Sequence, residues 1–332
     1  METGILHIAD AVDMLKTFPP HFAQLFLSDI PYGIGVDEWD VLHDNTNSAY
    51  LGESPAQAKA GHVFRKRGKP LNGWSEADKL IPQQYYQWVA RWCSEWFRVL
   101  VPGGNAFVFA GRRMAHRCIT AFEDNGFTFR DMLAWNKGVA PHRAQRISVV
   151  YERRNDDAAA ERWEGWRVGN LRPVFEPILW FSKPYKIGGT LADNILAYGT
   201  GAYNERVLAK YGQTTDNIFH VRSRKEDCGL HPTQKPLKLM ELLIELTTQE
   251  GDIVIDPFCG SGTTLLAALR LNRQYIGIEK NPDYAAKANL RLEEEARFRQ
   301  NDLWTYPTSC SPRKMKEQVL FEQRVTYKCH PK

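Results

Sequence analysis

Four short apolar runs in this chain each end at, or just before, an acidic residue, and this pattern restricts the fold more than any other feature of the sequence. Such runs between turn signals are typical of strands that are buried on both faces, as in a parallel sheet. Open α/β sheets bind ligands at the carboxyl ends of their strands, so we expect the acidic residues to share that edge. The runs are Ile5 to Ile8 before Asp10, Ala23 to Ser28 before Asp29, Ile253 to Ile255 before Asp256, and Tyr275 to Ile278 before Glu279.

Segments with helical spacing separate the predicted strands. Between residues 85 and 99, large apolar residues recur at intervals of three and four, and the pattern stops before Pro102. A further apolar run extends from Ala106 to Ala110, and Pro236 can open another helix with a leucine stripe on one face. This alternation of strands and helices predicts a doubly wound α/β fold.

The composition excludes several classes of protein. No apolar run approaches the roughly 20 residues that span a bilayer, so we expect a cytoplasmic protein with no membrane segment. The six cysteines form no CxxC pair, so neither a metal site nor a disulfide framework is expected. The formal net charge of +4 neither requires nor excludes a nucleic-acid partner, so any basic surface must be local.

The segment DPFCGSGTT, from Asp256 to Thr264, lies between a predicted strand and a predicted helix. Its glycines let a ligand approach the backbone, and the N-terminus of the helix supplies unpaired N–H groups. A nicotinamide dinucleotide site has a similar outline, but Leu265 occupies the third glycine position of GxGxxG, and no Walker lysine follows. The sequence therefore favours a nucleotide-like cofactor without a pyrophosphate, of which S-adenosylmethionine is the commonest.

Several blocks in this chain resemble those of the amino-group DNA methyltransferases of restriction-modification type, in the permuted (beta-group) order with the catalytic motif before the cofactor loop. The blocks are ILHIADAVDML, DIPY, FEPILWFSKP, HPTQKPLKLMELL, IVIDPFCGSGTT and YIGIEKNP. The resemblance implies a Rossmann-like methyltransferase fold with a seven-stranded, largely parallel sheet, S-adenosylmethionine as cofactor and double-stranded DNA as substrate. Two positions depart from the family pattern: Ile30 replaces a proline and Ala9 replaces a glycine.

The tetrad Asp29-Ile30-Pro31-Tyr32 resembles the catalytic motif of that family. Asp29 can accept one N–H of a base amino group while the backbone carbonyl of Ile30 accepts the other, and both contacts strengthen as positive charge develops on the nitrogen. Isoleucine keeps this carbonyl, so we expect activity despite the replacement. Pro31 fixes the turn, and Tyr32 offers a face on which an extruded base can stack.

The resemblance also implies a set of cofactor-binding residues. It places Asp10 by the adenine, Glu279 at the ribose, and Phe258 and Gly260 along the methionine portion. Any one of the acidic residues could instead cap a helix, and His231 is expected to be structural. The complete expected set is Asp10, Asp256, Phe258, Gly260, Gly262, Thr263 and Glu279, with Thr233, Lys235 and Pro236 flanking the amino-acid end of the cofactor.

The irregular intervals between the blocks predict a discontinuous core with inserted segments. Arginines, asparagines and aromatic residues are frequent in two of these insertions, which we interpret as target-recognition segments. The predicted core comprises residues 1–36, 85–140, 173–186 and 231–296; a basic loop occupies 37–84, the recognition segments 141–172 and 187–230, and a C-terminal tail 297–332.

Adenine N6 is the predicted target because the tetrad begins with Asp, whereas relatives that act on cytosine N4 more often carry Ser there. A cytosine N4 enzyme is the main alternative. An RNA or protein-glutamine methyltransferase fits the permuted order less well, and a non-catalytic DNA-binding module leaves the cofactor loop unexplained. Cys259 could suggest a thiolate nucleophile, but it lies in the cofactor loop, so we interpret it as a small loop residue. A bacterial or phage origin is expected, while a homodimer and a cognate restriction endonuclease are left open.

The basic run in the loop after the tetrad predicts phosphate contacts rather than base reading. Replacing its four basic residues, Arg65, Lys66, Arg67 and Lys69, by alanine should weaken binding to all DNA sequences similarly, flatten its salt dependence and leave the methylation site unchanged. Binding isotherms at several salt concentrations, with mapping of the modified site, measure this. A changed site, or a wild-type affinity and salt slope, would show an ordinary solvated loop.

Overall fold

The computed structural model describes residues 2–33, 40, 76–140, 142, 144–224, 227 and 234–304. Within these residues one large sheet and one two-stranded sheet are present. The strands of the large sheet are β1 (Ile5–Ile8), β2 (Ala23–Asp29), β3 (Leu100–Phe109), β4 (Thr128–Asn136), β7 (Phe175–Ser182), β8 (Ile218–Phe219), β9 (Ile253–Asp256) and β10 (Gln274–Glu279); β5 (Gln145–Arg146) and β6 (Arg167–Val168) form the small one.

Helices connect these strands in the described part of the chain. They are α1 (Ala11–Leu15), α2 (Glu76–Val99), α3 (Ala115–Asp124), α4 (Ile147–Glu152), α5 (Asp157–Arg162), α6 (Leu191–Tyr198), α7 (Glu205–Lys210), α8 (Leu237–Thr247), α9 (Thr263–Arg270) and α10 (Pro282–Trp304). None of these helices combines the length and the apolar character that a membrane crossing requires.

The large sheet has the order β1-β10-β9-β2-β3-β7-β4-β8. Neighbouring strands from β1 to β3 run parallel, and β7 runs antiparallel to both β3 and β4. The α/β class and the largely parallel sheet are therefore confirmed, but the sheet has eight strands rather than seven. The outermost one, β8, is a two-residue strand that pairs with Ala134 and Trp135 of β4 and so covers part of its free edge.

Buried side chains cover both faces of the sheet. Because successive strand residues point to opposite faces, Phe26 of β2 joins one core cluster and its neighbours Leu25 and Leu27 join the other. The first cluster contains the aromatic stripe of α2, in which Trp96 stacks on Phe26 with ring centroids 4.5 Å apart. The second contains the leucine stripe of α8, which is fully buried at Leu239. Both predicted helical stripes thus face the sheet.

The element boundaries differ from the predicted ones in three places. Helix α2 begins at Glu76, inside the segment 37–84 that we interpreted as a loop. Strand β3 begins at Leu100 and includes the Pro-Gly-Gly sequence predicted as a break, because Gly103 and Gly104 exchange backbone hydrogen bonds with Lys183. Helix α10 extends past residue 297, where the predicted tail starts.

The chain divides into two compact units, residues 1–292 and residues 293–332. The first contains the sheet and its helices. The second begins within α10 and is described as far as Trp304.

Candidate active site

The carboxyl ends of four neighbouring strands place acidic residues along one edge of the sheet. Parallel pairing of β1, β10, β9 and β2 aligns these ends, as in other open α/β sheets. Asp29, Asp256 and Glu279 are the last residues of their strands, and Asp10 follows β1. The structure therefore brings together the four acidic residues that the sequence predicted for this edge.

Asp29 lies in a buried cluster of charged and polar groups. Its Oδ2 is 2.6 Å from the Nζ of Lys235, and its Oδ1 accepts a hydrogen bond of 2.8 Å from the hydroxyl of Tyr32. Burial raises the pKa of the Asp29 carboxyl; the charge of Lys235 opposes that rise, and the charge of Glu176 adds to it. Asp29 is thus a half-buried acceptor, with 19% of its side chain exposed, whose ionisation depends on the charges around it.

Glu176, which sequence reasoning did not single out, belongs to the same cluster. It accepts a hydrogen bond from the hydroxyl of Tyr32 and lies 2.9 Å from the Nζ of Lys235, and Lys137 forms a further ion pair with it. Burial raises the pKa of the Glu176 carboxyl, but the charges of Lys235 and Lys137 outweigh this effect and bring the pKa to about 2. A glutamate in the otherwise apolar strand FEPILWFS was the signal in the sequence.

Hydrogen bonds and packing hold the turn after Asp29 in place. Asp40 accepts the backbone N–H groups of Tyr32 and Gly33 at 2.6 and 2.8 Å, while the hydroxyl of Tyr85 donates to the carbonyl of Pro31 at 3.3 Å. Ile30 is buried, with 1% of its surface exposed. Isoleucine at the departing position therefore anchors the turn in the core.

The glycine loop after β9 takes its shape from two left-handed residues and one carboxylate. Gly260 and Gly262 have φ angles of 51° and 78°, in the region that favours glycine. The N–H of Gly260 donates to Glu279 at 2.8 Å, and the N–H of Asn281 donates to the other carboxylate oxygen at 2.8 Å. A side chain at Gly262 would also lie 2.7 Å from Ala288, so packing against α10 is an additional reason for this glycine.

Asp256 lies beneath this loop, almost fully buried. It accepts hydrogen bonds from the hydroxyl of Ser28 at 2.6 Å, from that of Thr264 at 2.5 Å and from the N–H of Phe258 at 3.2 Å. Burial raises the pKa of the Asp256 carboxyl to about 7, although these hydrogen bonds oppose the rise. These contacts join protein elements, and a direct contact of Asp256 with the cofactor stays a prediction.

The other predicted cofactor residues occupy different surroundings. Phe258 is half-buried between Trp88 and Trp92, with centroid distances of 5.7 and 5.5 Å. Thr263 is buried and accepts a hydrogen bond from Arg291 at 3.2 Å. Pro236 opens α8, whereas Lys235 lies on the Asp29 cluster, and Asp10 caps α1 through the N–H of Val12 at 3.0 Å. Thr233 and the four basic residues at 65–69 lie outside the described residues.

The residues at this edge suit a nucleoside. Both oxygens of Glu279 accept backbone N–H groups, and a carboxylate has about four acceptor sites, so Glu279 keeps capacity to accept from a hydroxyl group. Ile8, which is paired in register with Glu279, leaves 59% of its surface exposed beside it. Carboxylates, an exposed apolar side chain and a glycine turn together match the hydroxyls, ring and chain of S-adenosylmethionine.

Three features define an S-adenosylmethionine-dependent amino-methyltransferase of restriction-modification type. They are the largely parallel sheet, the glycine loop after β9 beside the Glu that ends β10, and the Asp-Ile-Pro-Tyr turn at the end of β2. The chain belongs to the N6/N4 family described as DNA methylase, whose sequence profile matches residues 23–290. The type II methyltransferase M.HindIII of Haemophilus influenzae is 57% identical over 281 residues, which cover 83% of this chain and 91% of that protein.

Solved structures agree with the fold. The PvuII DNA methyltransferase, described as cytosine-N4-specific, aligns with a TM-score of 0.57 at 18% identity, over 90% of this chain and 91% of that one. The complex of M1.HpyAVI with S-adenosylmethionine aligns with a TM-score of 0.50 at 21% identity, over 87% of this chain and 98% of that one. The predicted enzyme class and cofactor are confirmed: the protein is a DNA methyltransferase, and S-adenosylmethionine is its methyl donor.

The raised pKa of Asp256 makes stability depend on pH. An unfolded aspartate ionises near pH 4, whereas the folded protein keeps this proton up to about pH 7, so stability falls as pH rises between these values. Asp256→Asn removes this dependence. The stability of the wild-type protein relative to the variant should fall by on the order of 2–4 kcal/mol over this interval. Urea unfolding of both proteins at pH 4.5, 6 and 8 measures the difference; an equal difference at all three values would contradict the assignment.

Glu279→Ala should weaken S-adenosylmethionine binding by about 10- to 100-fold, since it removes an acceptor for the ribose hydroxyls and the anchor of the Gly260 N–H. Isothermal titration calorimetry gives the affinity. Glu250→Ala, at an exposed turn residue, is the matched control and should bind as the wild type does. Unchanged affinity in Glu279→Ala would move the ribose site elsewhere.

Proposed function

We propose that this DNA methyltransferase is site-specific and transfers the methyl group to the exocyclic N6 of adenine in double-stranded DNA. The observation that carries the proposal is an aspartate at the end of β2, half-buried and held in place as a hydrogen-bond acceptor by Lys235 and Tyr32. Asp at this position resembles the adenine enzymes of the family. The likeness to the cytosine-N4-specific PvuII enzyme, at 18% identity, concerns the fold alone and does not oppose this choice.

The chemistry requires an amino group whose lone pair is free to attack. That pair is delocalised into the ring, and accepting both N–H bonds at Asp29 and at the Ile30 carbonyl orients the nitrogen towards the methyl group. With S-adenosylmethionine bound, the nitrogen lone pair would form the new N–C bond, the electron pair of the C–S bond would stay on sulfur, and one amino proton would leave to water. Bound S-adenosylmethionine supplies a methyl group on a positively charged sulfur.

Positive charge grows on the nitrogen as the bond forms, so a fixed carboxylate stabilises the transition state more than the ground state. Asp29 and the Ile30 carbonyl together form the clamp for the base amino group, and Tyr32 lies directly beside it. Tyr32 packs over Gly111, where an added Cβ atom would lie 3.0 Å from the Cβ of Tyr32. We assign the face of this ring to the extruded base. Its hydroxyl contacts with Asp29 and Glu176 set the orientation of the ring.

We assign sequence recognition to the segments 141–172 and 187–230. The first contains the small sheet of β5 and β6 with α4 and α5 between its strands, and it carries an exposed Trp166 with a T-shaped contact to Trp163 at 5.4 Å. Exposed aromatic and arginine side chains are groups that contact bases and phosphates. The second contains α6, α7 and β8. A cytoplasmic location fits this role, while a homodimer and a cognate restriction endonuclease stay predictions.

The target base is identified by incubating the protein with S-adenosylmethionine and unmethylated genomic DNA, digesting the DNA to nucleosides and separating them by mass spectrometry. We expect N6-methyladenine. N4-methylcytosine as the sole product would contradict the adenine choice and leave the enzyme class intact.

Asp29→Ala should lower the rate of methyl transfer by about a hundredfold to a thousandfold while the affinity for S-adenosylmethionine stays within a few-fold, because the clamp contacts the base and not the cofactor. Single-turnover rates and calorimetry measure the two effects. Asp13→Ala, at a side chain that is 79% exposed, is the matched control. A turnover close to that of the wild type would remove Asp29 from the catalytic site.

A further inference from the structure

Lys235 is buried between the carboxylates of Asp29 and Glu176 rather than along the glycine loop. Its Nζ is 2.6 Å from Asp29, 2.9 Å from Glu176 and 3.2 Å from the hydroxyl of Tyr32, and only 5% of the residue is exposed. The three partners come from β2, the turn after it and β7, while Lys235 itself precedes α8. The sequence resemblance had assigned this lysine to the amino-acid end of the cofactor.

Without a cation, this arrangement would place two carboxylates around one phenol. The hydroxyl of Tyr32 contacts both Asp29 and Glu176, but its single proton serves one acceptor at a time. Like charges that share a buried site force one carboxyl to keep its proton. Protonated Asp29 would present a donor to the base amino group, which itself donates, and the clamp would fail.

The remaining charges near Asp29 do not replace this cation. Asp256 of β9 is a nearby acidic group, and the charge of Asp29 raises the pKa of its carboxyl. Asp40 is also acidic and contacts the backbone of the turn. Lys137 pairs with Glu176, and its side chain is 34% exposed, so water screens its charge from Asp29. Lys235 is therefore the buried cation that faces Asp29 directly in the described part of the cluster.

We propose that Lys235 is a positioning residue for methyl transfer, which keeps Asp29 ionised and oriented as the acceptor of the base amino group, and that it does not bind the cofactor. This role rests on the proposed function of Asp29. Glu176 contributes by holding Lys235 and Tyr32 in place. Burial lowers the pKa of Lys235, but the charges of Asp29 and Glu176 outweigh that effect and raise it, which supports a charged lysine at neutral pH.

Three variants test this role: Lys235→Met, the double variant Lys235→Met/Glu176→Gln, and Lys16→Met. Lys16 forms an exposed ion pair with Asp13 and is the matched control, with rates and affinity expected to equal those of the wild type. The full-length proteins are assayed for single-turnover methylation of DNA between pH 6 and pH 9.5, and for S-adenosylmethionine affinity by calorimetry.

Lys235→Met should lower the rate at pH 7.5 about a hundredfold. Its rate should keep rising to a higher pH than the rate of the wild type does, because Asp29 ionises at a higher pH without the charge of the lysine. Its affinity for S-adenosylmethionine should stay within threefold. The double variant lacks one of the competing carboxylates. Its rate should therefore be at least tenfold higher than that of Lys235→Met, and its pH profile should shift back towards that of the wild type.

Two results would overturn the proposal. A weakened S-adenosylmethionine affinity with little change in rate would return Lys235 to the cofactor site, and a double variant no faster than the single one would remove the electrostatic role. If Lys235→Met does not fold, the double variant is compared with Glu176→Gln. A double variant that binds the cofactor more weakly than Glu176→Gln, or that reacts more than tenfold more slowly, would also contradict the proposal.

The proposed function is tested separately. An Asp29→Ala variant that retains full activity would refute the role of Asp29 itself. In that case Lys235→Met would also leave the pH profile unchanged. With an active wild type and an inactive Asp29→Ala variant, the Lys235 variants report on the positioning role alone.

Discussion

The buried carboxyl of Asp256 joins the two halves of the active site. It accepts hydrogen bonds from Ser28, next to Asp29 on β2, and from Thr264 in the first turn of α9. The strand that presents the proposed base clamp and the helix that follows the cofactor loop are therefore fastened to one side chain. Near neutral pH this carboxyl changes its protonation state, so the same contact links the assembly of the site to stability.

The base clamp depends on a second buried group of charges. Glu176 and Lys235 are buried and Asp29 is half-buried, and in such surroundings each charge acts strongly on its neighbours. Burial of ions contributes little net stability to a fold, because the loss of hydration opposes their mutual attraction. We attribute their presence at this edge of the sheet to the proposed catalytic role, which needs an ionised acceptor in a fixed position.

Local patterns in the sequence were sufficient to predict most of the sheet edge. The apolar runs gave the strands that end at Asp29, Asp256 and Glu279, and the spacing of the tryptophans gave the buried face of α2. These signals lie within a few residues of each other along the chain. They arise from side-chain alternation in strands and from the helical repeat, which act locally.

The contacts that complete the site were not predictable in this way. Lys235 and Tyr32 are 203 positions apart, and only the folded sheet brings them together. Asp40 and Glu176 carry no local pattern that assigns them to the Asp29 turn. The short strand β8 pairs with an edge that the sequence does not identify.

The most direct test is a crystal structure of the full-length protein bound to a non-reactive analogue of S-adenosylmethionine and to a DNA duplex that it methylates. We expect the exocyclic amino group of an extruded adenine within hydrogen-bonding distance of a carboxylate oxygen of Asp29 and of the Ile30 carbonyl, with Lys235 still paired to Asp29. An amino group held by other residues, or Lys235 bound to the carboxylate of the cofactor, would contradict it.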